Sequence, residues 1–108
     1  MKKEKKTVGN DENAELNGGD KFVLRLFVTG ASPNSTRAIS NLRNICESNI
    51  PGKYTLEIID VYKSIDLARE EGLVALPLLI KKHPLPERRM IGDMSNIEKV
   101  LSGLGITE

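Results

Sequence analysis

Between Lys21 and Val28, Phe22, Leu24, Leu26 and Val28 alternate with Val23, Arg25 and Phe27, and the run ends wholly apolar. This pattern predicts a central strand covered on both faces. Gly30 breaks it. Ser32 is placed to cap a helix, and Pro33 falls in the first turn, where a missing N–H costs nothing. Ala38, Ile39, Leu42, Ile45 and Cys46 then recur at helical spacing and make one apolar stripe. Pro51-Gly52 is a turn signal. In Tyr54–Val61, Tyr54, Leu56 and Ile58 alternate with Thr55 and Glu57, which predicts a second strand. A parallel strand here closes a right-handed βαβ unit with the first.

Beyond Val61 the pattern weakens. Ser64–Glu71 predicts a short helix, with Ser64 as cap, Gly72 as stop and an apolar stripe of only Ile65, Leu67 and Ala68. Leu73–Ile80 is continuously apolar with Pro77 in its middle. A proline cannot donate to a ladder, so the strand is expected to begin at or just after Pro77. The Leu76–Pro77 bond is open to the cis form. Lys81–Pro86 reads as a polar, proline-punctuated connection, with His83 a solvated loop residue. Glu87–Ile91 predicts a short strand antiparallel to the one before, ended by Gly92-Asp93. Ser95 and Glu98 have the spacing of a capping box. Ile97, Val100, Leu101 and Leu104 line a final helix, which Gly103 and Gly105 end. The order β-α-β-α-β-β-α is that of a thioredoxin-like α/β domain, a mixed sheet with helices on both faces.

Composition narrows the classes. Residues 1–20 hold four lysines, five acidic residues and only Met1, Val8, Ala14 and Leu16 as apolar positions. That cannot offset a backbone-ordering cost of roughly 1–2 kcal/mol per residue. The expectation is a disordered tail over 1–20 and one domain over 21–108. The chain is 39% hydrophobic and lacks Trp, so its core is aliphatic. A net charge of +1 gives no general attraction to nucleic acid. No apolar run approaches the ~20 residues that cross a bilayer, and no apolar segment follows the N-terminal lysines. The expectation is a cytoplasmic protein that binds neither membrane nor nucleic acid. One cysteine excludes an internal disulfide and a cysteine-built metal site.

Domains of this class usually do redox work with a Cys-x-x-Cys at the start of the first helix, where the helix dipole lowers the thiol pKa. With Pro33 placed on the proline of a Cys-Gly-Pro-Cys motif, the thiol positions are Ala31 and Asn34, which excludes dithiol exchange there. Cys46 lies about three turns along the apolar stripe and reads as a small buried hydrophobe. His83, the one histidine, has no second ligand near it in sequence. No nucleophile elbow or phosphate loop is present. The sequence therefore predicts no catalytic residue, cofactor or metal. Lys81, Lys82, Arg88 and Arg89 bracket one connection and are expected to form a basic rim. Such a rim suits an acidic protein partner, because arginine forks bind carboxylates bidentately.

The run FVLRLFVTGASPNSTRAISNLRNI, followed by YTLEIIDVYKSIDLAREEGLVALPLLIKKHPLPERRMIGDMSNIEKVLSGL, resembles the KaiB family of circadian-clock proteins over Lys21–Leu104. The most specific pieces are LFVTGASPNSTRA, EIIDV, the Ala75–Pro77 step and the P-x-x-RR-x-IGD-x-S stretch over Pro86–Ser95. The N-terminal sensor domain of the clock histidine kinase SasA is similar as well. The resemblance implies an interaction module without an active site. Its partner would be a KaiC-type ring ATPase, joined by a KaiA-like or histidine-kinase clock component, in circadian or stress signalling. It implies partner contacts at Arg25, Arg37, Lys81, Arg88 and Arg89. It also implies two folds of one sequence: a monomeric thioredoxin-like form, and a βαββααβ packing of the C-terminal half that associates as dimers or tetramers. The weak periodicity from Val61 to Ile91 fits such switching, with Pro77, Pro84 and Pro86 as slowly isomerising hinges. The family's triple-proline linker is reduced here to Pro84-Leu85-Pro86, and its Gly-Leu-Asp reads Gly103-Leu104-Gly105. These departures fall in the half that decides between the folds, and the thioredoxin-like form is expected to dominate. The alternatives are a free-standing SasA-like sensor coupled to a histidine kinase and, disfavoured by Ala31 and Asn34, a thioredoxin-like redox enzyme.

Overall fold

Seven elements follow the predicted order in a computed structural model, which describes residues 21–73 and 75–106. They are β1 (Phe22–Val28), α1 (Pro33–Asn49), β2 (Tyr54–Asp60), α2 (Ile65–Glu71), β3 (Leu78–His83), β4 (Arg88–Ile91) and α3 (Ile97–Leu104). The tail expected over 1–20 lies outside the described residues. The sheet runs in the order β2-β1-β3-β4. β1 is parallel to β2, with Phe22 opposite Tyr54 and Val28 opposite Asp60. β3 is antiparallel to β1, and β4 to β3. The expected mixed sheet with β1 inside it is therefore present.

Strand periodicity divides the sheet between two cores. Leu24, Leu26 and Val28 of β1 and Leu79 of β3 face α1 and α3, packing with Ala38, Leu42, Ile45, Cys46, Val100 and Leu104. Phe27, Ile59, Leu78 and Ile80 face the other way, with Val61, Leu67, Leu73 and Leu76 partly buried against them. Burying each large aliphatic side chain is worth about 1.5–3 kcal/mol, and Leu24, Leu26, Leu42 and Leu79 are all fully buried. The α1/α3 side is thus the anchored layer. On the other side α2 buries no residue completely.

The helix ends show where local signals sufficed. Ser32 caps α1, its hydroxyl accepting from Ser35 N–H, and Pro33 opens the first turn. Gly72 closes α2 in the left-handed region at φ 64°, where glycine pays no Cβ penalty. Ser64 precedes α2 but makes no hydroxyl cap.

Four expectations are corrected. The capping box at Ser95 is not formed. The Asp93 carboxylate already accepts from Ser95 N–H at 3.0 Å, so the cap passes to Asn96, whose side chain accepts from Lys99 N–H. Gly103 does not end α3 but lies within it, against the Met90 side chain; Gly105 is the stop. His83 closes a strand rather than sitting in a loop, because the ladder continues past Ile80. For the same reason Lys81 is not in a connection. It pairs with Leu24 on one side and Arg88 on the other, shares the face of Leu79, and is only 4% exposed. The Leu76–Pro77 bond, open to either form on the sequence, is cis, and His83–Pro84 and Leu85–Pro86 are cis as well.

Candidate interaction surface

At the turn from β1 into α1, where a dithiol would sit, hydroxyls take the polar work. Ser35 is fully buried. Its Oγ accepts from Thr29 N–H at 3.0 Å and from the Ser32 hydroxyl at 2.9 Å. Ala31 and Asn34 are exposed, and Asn34 accepts from the Arg37 guanidinium. This arrangement satisfies the backbone of the turn and holds no exchangeable sulfur. Cys46 is buried deep in the helix layer, and burial, helped by Glu47, pushes its thiol up to about 11. Among the described residues no group of three His, Cys, Asp or Glu side chains could hold a metal ion, and no helix is long and apolar enough to cross a membrane.

The structure separates the five predicted cations into three places. Arg25 and Arg89 lie on the α2 face of the sheet, because each points opposite to its core-facing neighbours. There they meet Lys82 and three carboxylates. Arg25 reaches Glu57 at 3.2 Å and Glu71 at 3.6 Å. Lys82 reaches Glu71 at 2.8 Å and Glu87 at 3.6 Å. Arg89 reaches Glu71 at 3.1 Å and Glu87 at 4.0 Å. Each strand from β1 to β3 to β4 supplies one cation, and α2 supplies the shared carboxylate.

Lys81 and Arg88 face the opposite side. Lys81 turns its ammonium toward the end of α3, donating to the Leu104 carbonyl at 3.5 Å. Burial first, then the charge of Arg88, draws its pKa below the ordinary lysine value. Arg88 itself is exposed and makes no ion pair among the described residues. The expected rim is therefore split by the pleat: Lys81 leaves the surface, and Arg88 and Arg89 project to opposite faces.

Arg37 holds a third position, on α1, with its Nε 3.3 Å from Asp93. Asn41 donates to the Asp93 carbonyl at 2.9 Å. Hydrogen bonds from Ser95, helped by Arg37, hold the Asp93 carboxyl below the usual carboxylate range. This cluster ties α1 to the loop before α3, where Met94 is buried at φ 64°. Pro77 is buried beside β4, its carbonyl accepting from Gly92 N–H at 3.0 Å, while Pro86 is exposed.

Lys82 belongs to the rim that the sequence predicts, whereas Glu71, Glu57 and Glu87 carry no such expectation. One signal for Glu71 was present: a carboxylate in the last turn opposes the helix dipole, so it calls for a cation from elsewhere.

A family model described as the KaiB domain matches residues 25–106. The circadian clock oscillator protein KaiB of Synechococcus elongatus is 49% identical over 85 residues, covering 79% of this chain and 83% of that protein. The KaiB of Thermosynechococcus vestitus is 51% identical over 85 residues, covering 79% of each. Among solved structures, the N-terminal domain of Synechococcus elongatus SasA superposes with a TM-score of 0.67 at 20% identity, covering 92% of this chain and 97% of that one. Mitochondrial thioredoxin 3 of Saccharomyces cerevisiae gives 0.65 at 16% identity, covering 80% and 78%. At those identities the two structures speak for the fold, which is thioredoxin-like.

Proposed function

Because the chain belongs to the KaiB family, we propose that it is a non-catalytic clock-type regulator that binds a KaiC-type ring ATPase. The match to the KaiB domain over residues 25–106 carries this reading. The hydroxyl-lined turn around Ala31 and Asn34 supports it, since a chain with no thiol at that turn is left with its surface. The contact surface we propose includes Arg88, Arg89, Arg25 and Arg37. Arg88 comes first, because it is exposed and makes no ion pair among the described residues, so an acidic partner meets it without breaking a bond. Lys81 is left out because it is buried.

The test is size-exclusion chromatography of the protein with a KaiC-type ATPase, with and without nucleotide. Co-elution is expected. Arg88→Glu is expected to weaken binding roughly tenfold, about 1.4 kcal/mol. Its melting temperature should stay within about 2 °C, as for a surface substitution. Failure to co-elute in either nucleotide state refutes the reading, and an unchanged affinity removes Arg88 from the surface.

The likeness to the SasA N-terminal domain over nearly its whole length favours a second reading, a free-standing sensor that couples to a histidine kinase. Co-elution with such a kinase and not with the ATPase would select it. A further part of the proposal is the βαββααβ packing of the half from Val61 to Ile91, hinged at Pro77, Pro84 and Pro86 and associating as dimers or tetramers. It is supported by the absence of any fully buried residue in α2. Two sets of amide resonances over 61–104, with one set over 22–58, are expected. A single set at all temperatures counts against it.

A further inference from the structure

Glu71 sits where its own helix does not favour it. It is the last residue of α2, at the end that carries partial negative charge. Its side chain is nevertheless only 12% exposed. Its two oxygens are shared by Lys82 at 2.8 Å, Arg89 at 3.1 Å and Arg25 at 3.6 Å. The other two carboxylates in the cluster, Glu57 and Glu87, are 54% and 42% exposed, and neither reaches all three cations. Glu71 is thus the one acid at the centre of a socket whose walls are three strands of one sheet.

The helix that delivers this carboxylate is held lightly. α2 has seven residues, no fully buried side chain and no hydroxyl cap. A helix that short is marginal by itself in water. Ile65 is 56% exposed, and Leu67 is the α2 side chain packed on the Phe27–Ile59–Leu78–Ile80 cluster. The C-terminal end of α2 is held by the Glu71 ion pairs together with Leu73, which packs on the same cluster just past the helix.

We propose that Arg25, Lys82 and Arg89 form a carboxylate socket that Glu71 fills from within the chain. An acidic side chain of a protein partner takes the socket by displacing Glu71, and so releases the C-terminal end of α2. With Glu71 in place the cluster balances, its three cations facing Glu57, Glu71 and Glu87. Without Glu71 one positive charge is in excess, on strands whose ladder holds the cations together. Two guanidinium forks and one ammonium suit a carboxylate. Val23 and Ile91, 38% and 54% exposed, lie on the same sheet face and offer apolar contact beside the socket. This inference gives the chemistry and regulation of the surface proposed above, and its relevance to a ring ATPase rests on that reading.

The test uses the full chain and a short polyglutamate peptide, followed by NMR titration and amide hydrogen exchange. Glu71→Gln is expected to bind the peptide at least ~5-fold more tightly than the wild type, because no internal carboxylate competes. The shifts should centre on the Arg25 and Arg89 side-chain N–H groups. Glu71→Gln combined with Arg89→Gln should lose the gain. In the unsubstituted protein, raising salt from ~0.05 M to ~0.5 M should speed exchange of the α2 amides, because screening reaches the ion cluster first, while α1 amides hold their protection. Equal affinities for Glu71→Gln and wild type, shifts centred on Arg88 or Arg37, or α2 exchange indifferent to salt would each overturn the socket. No ATPase enters this experiment. Its failure leaves the ring-ATPase reading standing, and a protein that ignores every ring ATPase can still show the socket.

Discussion

Replacing Lys81 by Met is expected to stabilise the protein. The Lys81 residue is 4% exposed, and its ammonium has one acceptor, the Leu104 carbonyl, at a long 3.5 Å. The negative end of α3 helps it, by up to ~2 kcal/mol in a partly buried site. Against this stands the loss of hydration of an ammonium, still several kcal/mol after relaxation. Arg88, opposite it on β4, adds like-charge repulsion. The unfavourable side wins, as the direction of the pKa shift says: the folded chain holds this proton less tightly than the unfolded one. The associated stability is therefore present above the unfolded pKa of about 10.4 and is lost as pH falls through the lower, folded pKa. At neutral pH the charged Lys81 opposes folding. Met keeps an apolar stem of similar length and removes the charge. The gain is expected to be about 1–2 kcal/mol, the size seen when buried charge gives way to apolar packing. In urea at pH 7 the midpoint should rise with an unchanged slope. The advantage over wild type should shrink as pH rises toward the ordinary lysine pKa of about 10.4, because wild-type Lys81 sheds its proton below that value. Binding to a KaiC-type ATPase should stay within about twofold, as for a residue off the surface. A variant that unfolds at lower urea would refute the reasoning, and would mean that the ammonium–carbonyl contact at the end of α3 outweighs its desolvation.

Three other outcomes follow from the same contacts. Gly103→Ala places a methyl group into the Met90 thioether, so despite alanine's better helix propensity it should cost about 1–3 kcal/mol in urea unfolding. Shortening Met90 as well should recover part of that loss, and strict additivity of the two would exclude the clash. Cys46, buried and with its thiol pushed up to about 11, should resist thiol reagents at pH 8 until the protein unfolds, and the protein should not reduce insulin; rapid native-state labelling would contradict its placement. Asp93→Asn should remove an acid-dependent part of stability. The native Asp93 carboxyl is held below its usual range, so its contribution is present above an ordinary carboxylate pKa of about 3.9 and lost as pH falls through the lower native value. The difference in urea midpoint between wild type and variant should therefore be flat from about pH 5 to 8 and close below about pH 4. A difference that persists in acid would refute the role of the charge.

In the first half of the chain, local pattern accounts for nearly every element. Alternation in Phe22–Val28 and Tyr54–Asp60 and the stripe from Ala38 to Cys46 each follow from the geometry of a single element, and the Ser32 cap needs nothing more than the next turn. The emptied dithiol corner was equally legible, since Ala31 and Asn34 lack sulfur whatever the fold does. Resemblance carried the family. The candidate site was legible in composition only: four of the five cations expected at the surface remain partly or fully accessible, but they do not share a face.

Local pattern by itself determined which segments are strands and helices, and where α1 begins. Tertiary structure decided the fate of Lys81, the faces of Arg88 and Arg89, and the meeting of Glu71 with Arg25, Lys82 and Arg89. How far β3 extends depends on β1 and β4 offering partners on both sides. Once it extends, the pleat alone sends Lys81 inward and Lys82 outward. The cation cluster joins residues 25, 71, 82 and 89, and the ion pairs that join them act across space after the strands are aligned.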